Sequence, residues 1–158
     1  MWFAGTPDLA NMFVGGGRRR MAQGSQTGSS VYPVYLSAKN LLDLGETSPQ
    51  DNLSVAAVLR IAGLDSDFDA VSKIAADNIS SGHTFVSPGQ KNPTDYLARE
   101  YFSNTARASN TLDNPGMVQA LRAAGYDGIR MTEQGAPTYA VFSPEQIKSA
   151  IGNQGTFD

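Results

Sequence analysis

Apolar positions along the chain separate two strand-bearing ends from a helical middle. Leu9, Met12 and Phe13 fall on one face of a segment running from Pro7 to Val14, the spacing of a short amphipathic helix. Thr6-Pro7-Asp8 supplies its start, with Thr as N-cap, Pro at the first helical position and an acid in the first turn. From Val31 to Ser37 the pattern alternates, and both alternating sets are apolar. That predicts a strand covered on both faces, with Pro33 at a ladder position that needs no donor.

The middle of the chain reads differently. Ser48-Pro49-Gln50-Asp51 looks like a second capped start, opening a helix with Leu53, Ala57, Leu59 and Ile61 apolar and Gly63 closing it. Phe68, Val71, Ile74 and Ala75 predict a helix over Phe68 to Ile79. A further helix is expected from Thr94 to Phe102, with Tyr96, Leu97, Tyr101 and Phe102 as its buried side. Asn114-Pro115 starts another, carrying Val118, Leu121 and Arg122, and Gly125 stops it. The apolar runs Tyr126–Met131 and Thr138–Phe142, around Gln134-Gly135-Ala136-Pro137, predict a hairpin. Ser143-Pro144-Glu145-Gln146 then reads as a capping box opening a short closing helix, with Glu145 as its acid. The polar stretch 15–30 has little to bury and is expected to be a mobile loop. The whole is an α+β reading: one domain over 1–158, with a helical insertion over 48–114.

Composition narrows the functions. The 158 residues carry a formal net charge of −3, which argues against general nucleic-acid binding. With no cysteine there is no disulfide, thiolate zinc site or cysteine nucleophile, and a single histidine excludes sites built on several imidazoles. No apolar run reaches the roughly 20 residues of a membrane span, and no signal peptide is evident. The expected location is the cytoplasm, with no membrane partner.

Candidate chemistry begins with Trp2 and Phe13. A compact strand–turn–helix brings two such rings to opposite walls of one slot, which suits a flat cationic ring such as nicotinamide. Equally, two aromatics at this spacing can be plain core anchors. Arg18-Arg19-Arg20 fits a pyrophosphate contact or a solvated charge run. Gly15-Gly16-Gly17 follows a helix instead of opening one, so it does not cradle phosphate. Asp65, Asp67 and Asp69 alternate like calcium ligands but lack the glycine and bidentate glutamate that such a loop needs, and read as acids at a helix start. His83 reads as a loop residue between two helices.

The opening Trp2-Phe3-Ala4-Gly5-Thr6-Pro7-Asp8-Leu9-Ala10-Asn11-Met12-Phe13 resembles the second signature of ADP-ribosyltransferases of the diphtheria-toxin and poly(ADP-ribose) polymerase type. In that signature an aromatic-Phe-Ala strand leads into a helix whose last aromatic completes a nicotinamide sandwich. Val31–Leu36 is similar to the next core strand. Gly125-Tyr126-Asp127-Gly128-Ile129, the run from Tyr139 to Ala150 and the tail Gly152–Asp158 resemble the ADP-ribosyltransferase-like domains of phage and mobile-element polyvalent proteins. The likeness covers about two fifths of the chain, at both ends.

The resemblance implies an ADP-ribosyltransferase-like split antiparallel β core carrying a helical insertion, with NAD as co-substrate. It implies that Trp2 and Phe13 stack on nicotinamide, that Phe3, Ala4 and Ala10 belong to the dinucleotide site, and that Tyr35 lines the cleft. Three departures stand out. The family's first strand, with its His-Gly-Ser or His-Gly-Thr, is expected to be lacking, because Met1 directly precedes the second signature. Ala10 replaces a serine that bonds the carboxamide. Thr138 stands where the family has its catalytic glutamate, so Thr138 or the nearby Glu133 must serve there. The implied activity is mono-ADP-ribosyl transfer to a protein target in a phage-infected host, weakened or lost. The alternative is a non-catalytic phage protein on the same scaffold that binds a host or virion partner. An open sheet edge leaves room for an oligomer.

Overall fold

Gln134 and Gly135 both adopt positive φ, 51° and 78°, the two-residue turn whose twist matches that of a hairpin. They join the two longest strands in a computed structural model that describes residues 1–14, 31–84, 87, 89–103 and 106–152. By their contacts the residues fall into two compact units, Met1–Glu46 with Asp127–Asp158, and Thr47–Tyr126. The expected loop 15–30, with Gly15-Gly16-Gly17-Arg18-Arg19-Arg20, and the tail beyond Gly152 lie outside the described residues.

The first unit is built on a four-stranded sheet. Its strands are β1 (Trp2–Ala4), β3 (Leu41–Asp43), β6 (Gly128–Glu133) and β7 (Ala136–Val141), in the order β1-β7-β6-β3. Only the β3–β6 pair is parallel. Between β1 and β3 come α1 (Pro7–Val14) and β2 (Val34–Leu36); β2 pairs with β8 (Ile147–Ser149) as a separate two-stranded sheet. The α+β fold and its split sheet are therefore present, as read from the sequence.

Two expectations for this unit are corrected. The strand near Val31 is short and open: Tyr32 and Tyr35 are exposed, since β2 sits in a two-stranded ribbon and is not covered on both sides. The capping box at Ser143 opens a single 3-10 turn, Pro144–Gln146, and the chain then returns to a strand. Gln146, not Glu145, completes the box, because its Oε1 accepts the Phe142 and Ser143 N–H groups. Its Nε2 donates to the Ser37 and Asp127 carbonyls, both at 2.9 Å. One amide thus ties the end of β7 to the loop before β3.

The Gly-Tyr-Asp-Gly run divides between the units. Gly125 has φ 89° just past a helix end. Asp127 accepts the Lys39 and Asn40 N–H groups at 2.6 and 3.0 Å, pinning the entry to β3. Gly128 faces the Ala140 carbonyl so closely that a Cβ would sit 2.5 Å from that oxygen.

The second unit holds β4 (Asn52–Leu53), α2 (Val55–Ile61), α3 (Phe68–Ser80), α4 (Pro93–Ser103), β5 (Ala106–Arg107), α5 (Ala108–Leu112) and α6 (Pro115–Ala123). Asp67 and Asn114 cap α3 and α6 through their side chains, as their sequence contexts suggest. The helix expected to open at Ser48 begins instead after Ser54, whose hydroxyl accepts the Ala57 N–H. Residues 48–51 are spent on a tight turn, in which Asp51 accepts the Ser48 N–H at 2.7 Å. The buried side of α4 is also different: Ala98 is enclosed, whereas Tyr96 and Phe102 are exposed. Phe102 packs edge-on against Phe68, which Arg99 covers on its face at 5.4 Å.

Candidate functional site

Strand alternation settles which side chains share a face. In β1 and β7, Trp2 lies across from Ala140 and Ala4 from Thr138; in β6 and β7, Met131 lies across from Thr138 and Glu133 from Ala136. Trp2, Ala4, Thr138, Met131, Ile129 and Glu133 therefore stand on one face. That face is the buried one, with Ile129, Met131, Thr138, Ala140 and Glu133 all enclosed. Phe3 stands on the opposite face, across from Tyr139 and in the row of Arg130 and Asp43.

Among the described strand residues Glu133 is the sole ionisable group on the apolar face. Its side chain is 7% exposed, and burial pushes its carboxyl above the ordinary value of 4.5, while the Thr138 hydroxyl draws it weakly the other way. Thr138 is 4% exposed, and its Oγ1 is the one buried side-chain polar atom among the described residues without a hydrogen-bond partner of acceptable geometry. The two groups are neighbours that fall short of a well-formed bond. An enclosed carboxylate beside an unanswered hydroxyl is what a polyol would satisfy, because a ribose diol both donates and accepts.

On the opposite face the ions behave ordinarily. Arg130 holds Asp43 through two contacts, at 2.9 and 3.0 Å. The Gly45 N–H and this guanidinium lower the Asp43 carboxyl, and the pair is open to solvent. Such a pair adds little stability.

The aromatic candidates lie along β1 and α1. Thr6 caps α1, its hydroxyl accepting the Leu9 N–H at 3.2 Å. Leu9 is the anchor that buries the helix, and Phe13, one turn on, is 63% exposed. Phe13 is thus no core residue. Trp2 is half-buried at the sheet edge, Ala10 is half-buried on α1, and Tyr35 on β2 is exposed across from Lys148. Among the described residues β1 pairs with β7 alone, so its other edge carries no strand. His83 sits in the turn after α3, its N–H bonded to the Asn78 carbonyl, within the second unit. Asp67 is a helix cap, and no group of three or more His, Asp or Glu among the described residues could hold a metal ion.

These positions fall inside a known family. The family model described as ADP-ribosyltransferase in polyvalent proteins matches residues 1–157, and the chain belongs to that family. The match runs through the helical block as well as both ends. No curated protein and no solved structure matches the chain. The family is one of ADP-ribosyltransferases, enzymes that generally use NAD as substrate. No helix among the described residues is long and apolar enough to cross a membrane.

Proposed function

We propose that this protein transfers a single ADP-ribosyl group from NAD to a side chain of a protein target in a phage-infected bacterial cytoplasm. Glu133 carries the reading. It is a carboxylate held on an apolar sheet face, beside the unanswered hydroxyl of Thr138 and on the same face as Trp2. As the bond between the ribose carbon and nicotinamide breaks, the nitrogen takes the electron pair and positive charge builds on the ribose. A fixed carboxylate opposes that charge most strongly where water is excluded, and such a group is worth about 10²–10³ in rate. The target's nucleophile then bonds to the same carbon and gives up its proton. Thr138 holds a ribose hydroxyl. Trp2 and Phe13 offer ring faces to the nicotinamide, Phe3, Ala4 and Ala10 shape the strand and helix around it, and Tyr35 lines the approach.

A second reading has its own support. Glu133 and Thr138 are nearly enclosed, while Phe13 and Tyr35 stand open. In a non-catalytic relative the acid is internal and the exposed aromatics bind a host or virion partner. Labelled-NAD transfer into bacterial lysate separates the two. The catalytic reading expects label on protein, lost in Trp2→Ala and Phe13→Ala. It also expects millimolar NAD to raise the melting temperature, since ligand at 100 times its Kd adds about 2.7 kcal/mol. Neither label nor shift leaves the partner-binding reading standing.

A further inference from the structure

Gln146 stands where the two sheets of the first unit part. The ribbon of β2 and β8 consists, among the described residues, of two strands of three residues each. A two-stranded piece of that size has little stability of its own. Its direction therefore depends on where its strands leave the main sheet, and both leave at one point. Ser37 follows β2 and Gln146 precedes β8. The Ser37 N–H donates to the Gln146 carbonyl at 2.8 Å, and Gln146 Nε2 donates back to the Ser37 carbonyl at 2.9 Å.

The same side chain grips the main sheet. Nε2 also donates to the carbonyl of Asp127, the residue before β6, at 2.9 Å. Oε1 accepts the Phe142 and Ser143 N–H groups just after β7, at 3.1 and 2.9 Å. This set needs both ends of an amide, because a carboxylate only accepts and an ammonium only donates. Asp127 completes the joint from the other side. Its carboxylate accepts the Lys39 and Asn40 N–H groups, and its own N–H donates to the Asn40 carbonyl at 3.0 Å. The passage from the ribbon to β3 is thereby held at Ser37, Lys39 and Asn40.

Tyr35 is carried by this joint. It lies two residues before Ser37, and its cross-strand partner Lys148 lies two residues after Gln146. Each separation is about 7 Å of extended chain. Tyr35 is 42% exposed, so its ring is not seated in a core and the ribbon sets where it stands.

We propose that Gln146 is a positioning residue of the dinucleotide site: its amide holds the ribbon, and through it Tyr35, in place beside the sheet that bears Trp2 and Glu133. The role rests on the NAD reading above. It acts by preorganisation, since a wall already fixed need not be ordered when the ligand arrives.

Calorimetric titration with NAD tests it on the wild-type protein, Gln146→Glu, Tyr35→Ala and the double variant. Gln146→Glu keeps both acceptances, and so the end of β7, but loses the donations to Ser37 and Asp127. Its NAD affinity is expected to fall roughly fivefold, the worth of about one net hydrogen bond. The double variant is expected to bind no more weakly than Tyr35→Ala alone, because a ring already removed cannot be misplaced. A purely structural role would instead multiply the two losses. Asp127→Asn, which leaves one acceptor for two N–H groups, is expected to repeat the pattern, and it serves where Gln146→Glu folds poorly. Wild-type affinity in both joint variants, or losses that multiply with Tyr35→Ala, overturns the role of Gln146 and leaves the NAD reading intact. A wild-type protein that binds no NAD overturns that reading, and this role with it.

Discussion

Glu133 and Thr138 occupy diagonal positions on one face of the β6–β7 hairpin, Glu133 beside the turn and Thr138 across from Met131. Side chains at such diagonals reach one another when one of them is long. The result is a pair the native state does not fully satisfy: a carboxyl raised by burial and a hydroxyl without a partner. A buried, unsatisfied hydroxyl beside a perturbed carboxyl is the kind of pairing by which functional-site candidates are recognised.

The raised carboxyl makes stability depend on pH. The folded protein holds the Glu133 proton more tightly than the unfolded chain does, so its contribution is complete below the ordinary value of 4.5. It is lost as pH rises through the higher folded-state value, and is level beyond. Glu133→Gln removes this burden. Calorimetry at pH 7 is expected to show the variant melting above wild type, with the difference shrinking toward pH 4. A lower melting temperature at pH 7 contradicts the assignment.

Thr138→Val exchanges the unanswered hydroxyl for a methyl group of the same shape. Replacing such a group is neutral or stabilising, within about 1 kcal/mol. Urea denaturation measures it, and a loss clearly beyond that figure means the hydroxyl is bonded after all.

Gly128→Ala tests the close approach at the start of β6. The new Cβ would lie 2.5 Å from the Ala140 carbonyl and 2.7 Å from Leu41 Cδ2. The carbonyl belongs to the central strand β7, so it cannot move without disturbing the sheet. A loss of about 1–3 kcal/mol is expected, of the size seen for overpacking.

Asn78→Ala strips the buried Gly116 N–H of its acceptor and the Tyr101 hydroxyl of its donor. An unpaired buried group costs about 1–3 kcal/mol. Denaturant midpoints report the loss, and the tyrosine ring signals should broaden as Tyr101 loses its brace.

Much of this was legible in the chain. Asp67 and Asn114 name their helices because short polar side chains cap a backbone N–H locally, and the hairpin announces itself through Gln134-Gly135. The misreadings have physical causes. Ser48 and Asp51 carry a helix-start signature but bond each other's backbone in a tight turn, and Ser54 wins the cap. Leu41–Asp43 is three residues long, too short for any period, and forms only because β6 runs parallel beside it. Tyr96 and Phe102 have core spacing yet stay exposed, since Ala98 is the residue α4 buries. Of the candidate residues, Trp2, Ala4, Thr138 and Glu133 could be placed together only once the register was known. A one-residue slip would send each to the other face. Phe3 went to that other face by the same rule.

The most direct measurement is the rate of nicotinamide release from saturating NAD in the wild-type protein and in Glu133→Gln, with NAD affinity followed separately. The expected result is a fall of about 10²–10³ in rate with affinity little changed, because the carboxylate acts on charge that appears only as the bond breaks. A variant that releases nicotinamide as fast as wild type would contradict the role given to Glu133.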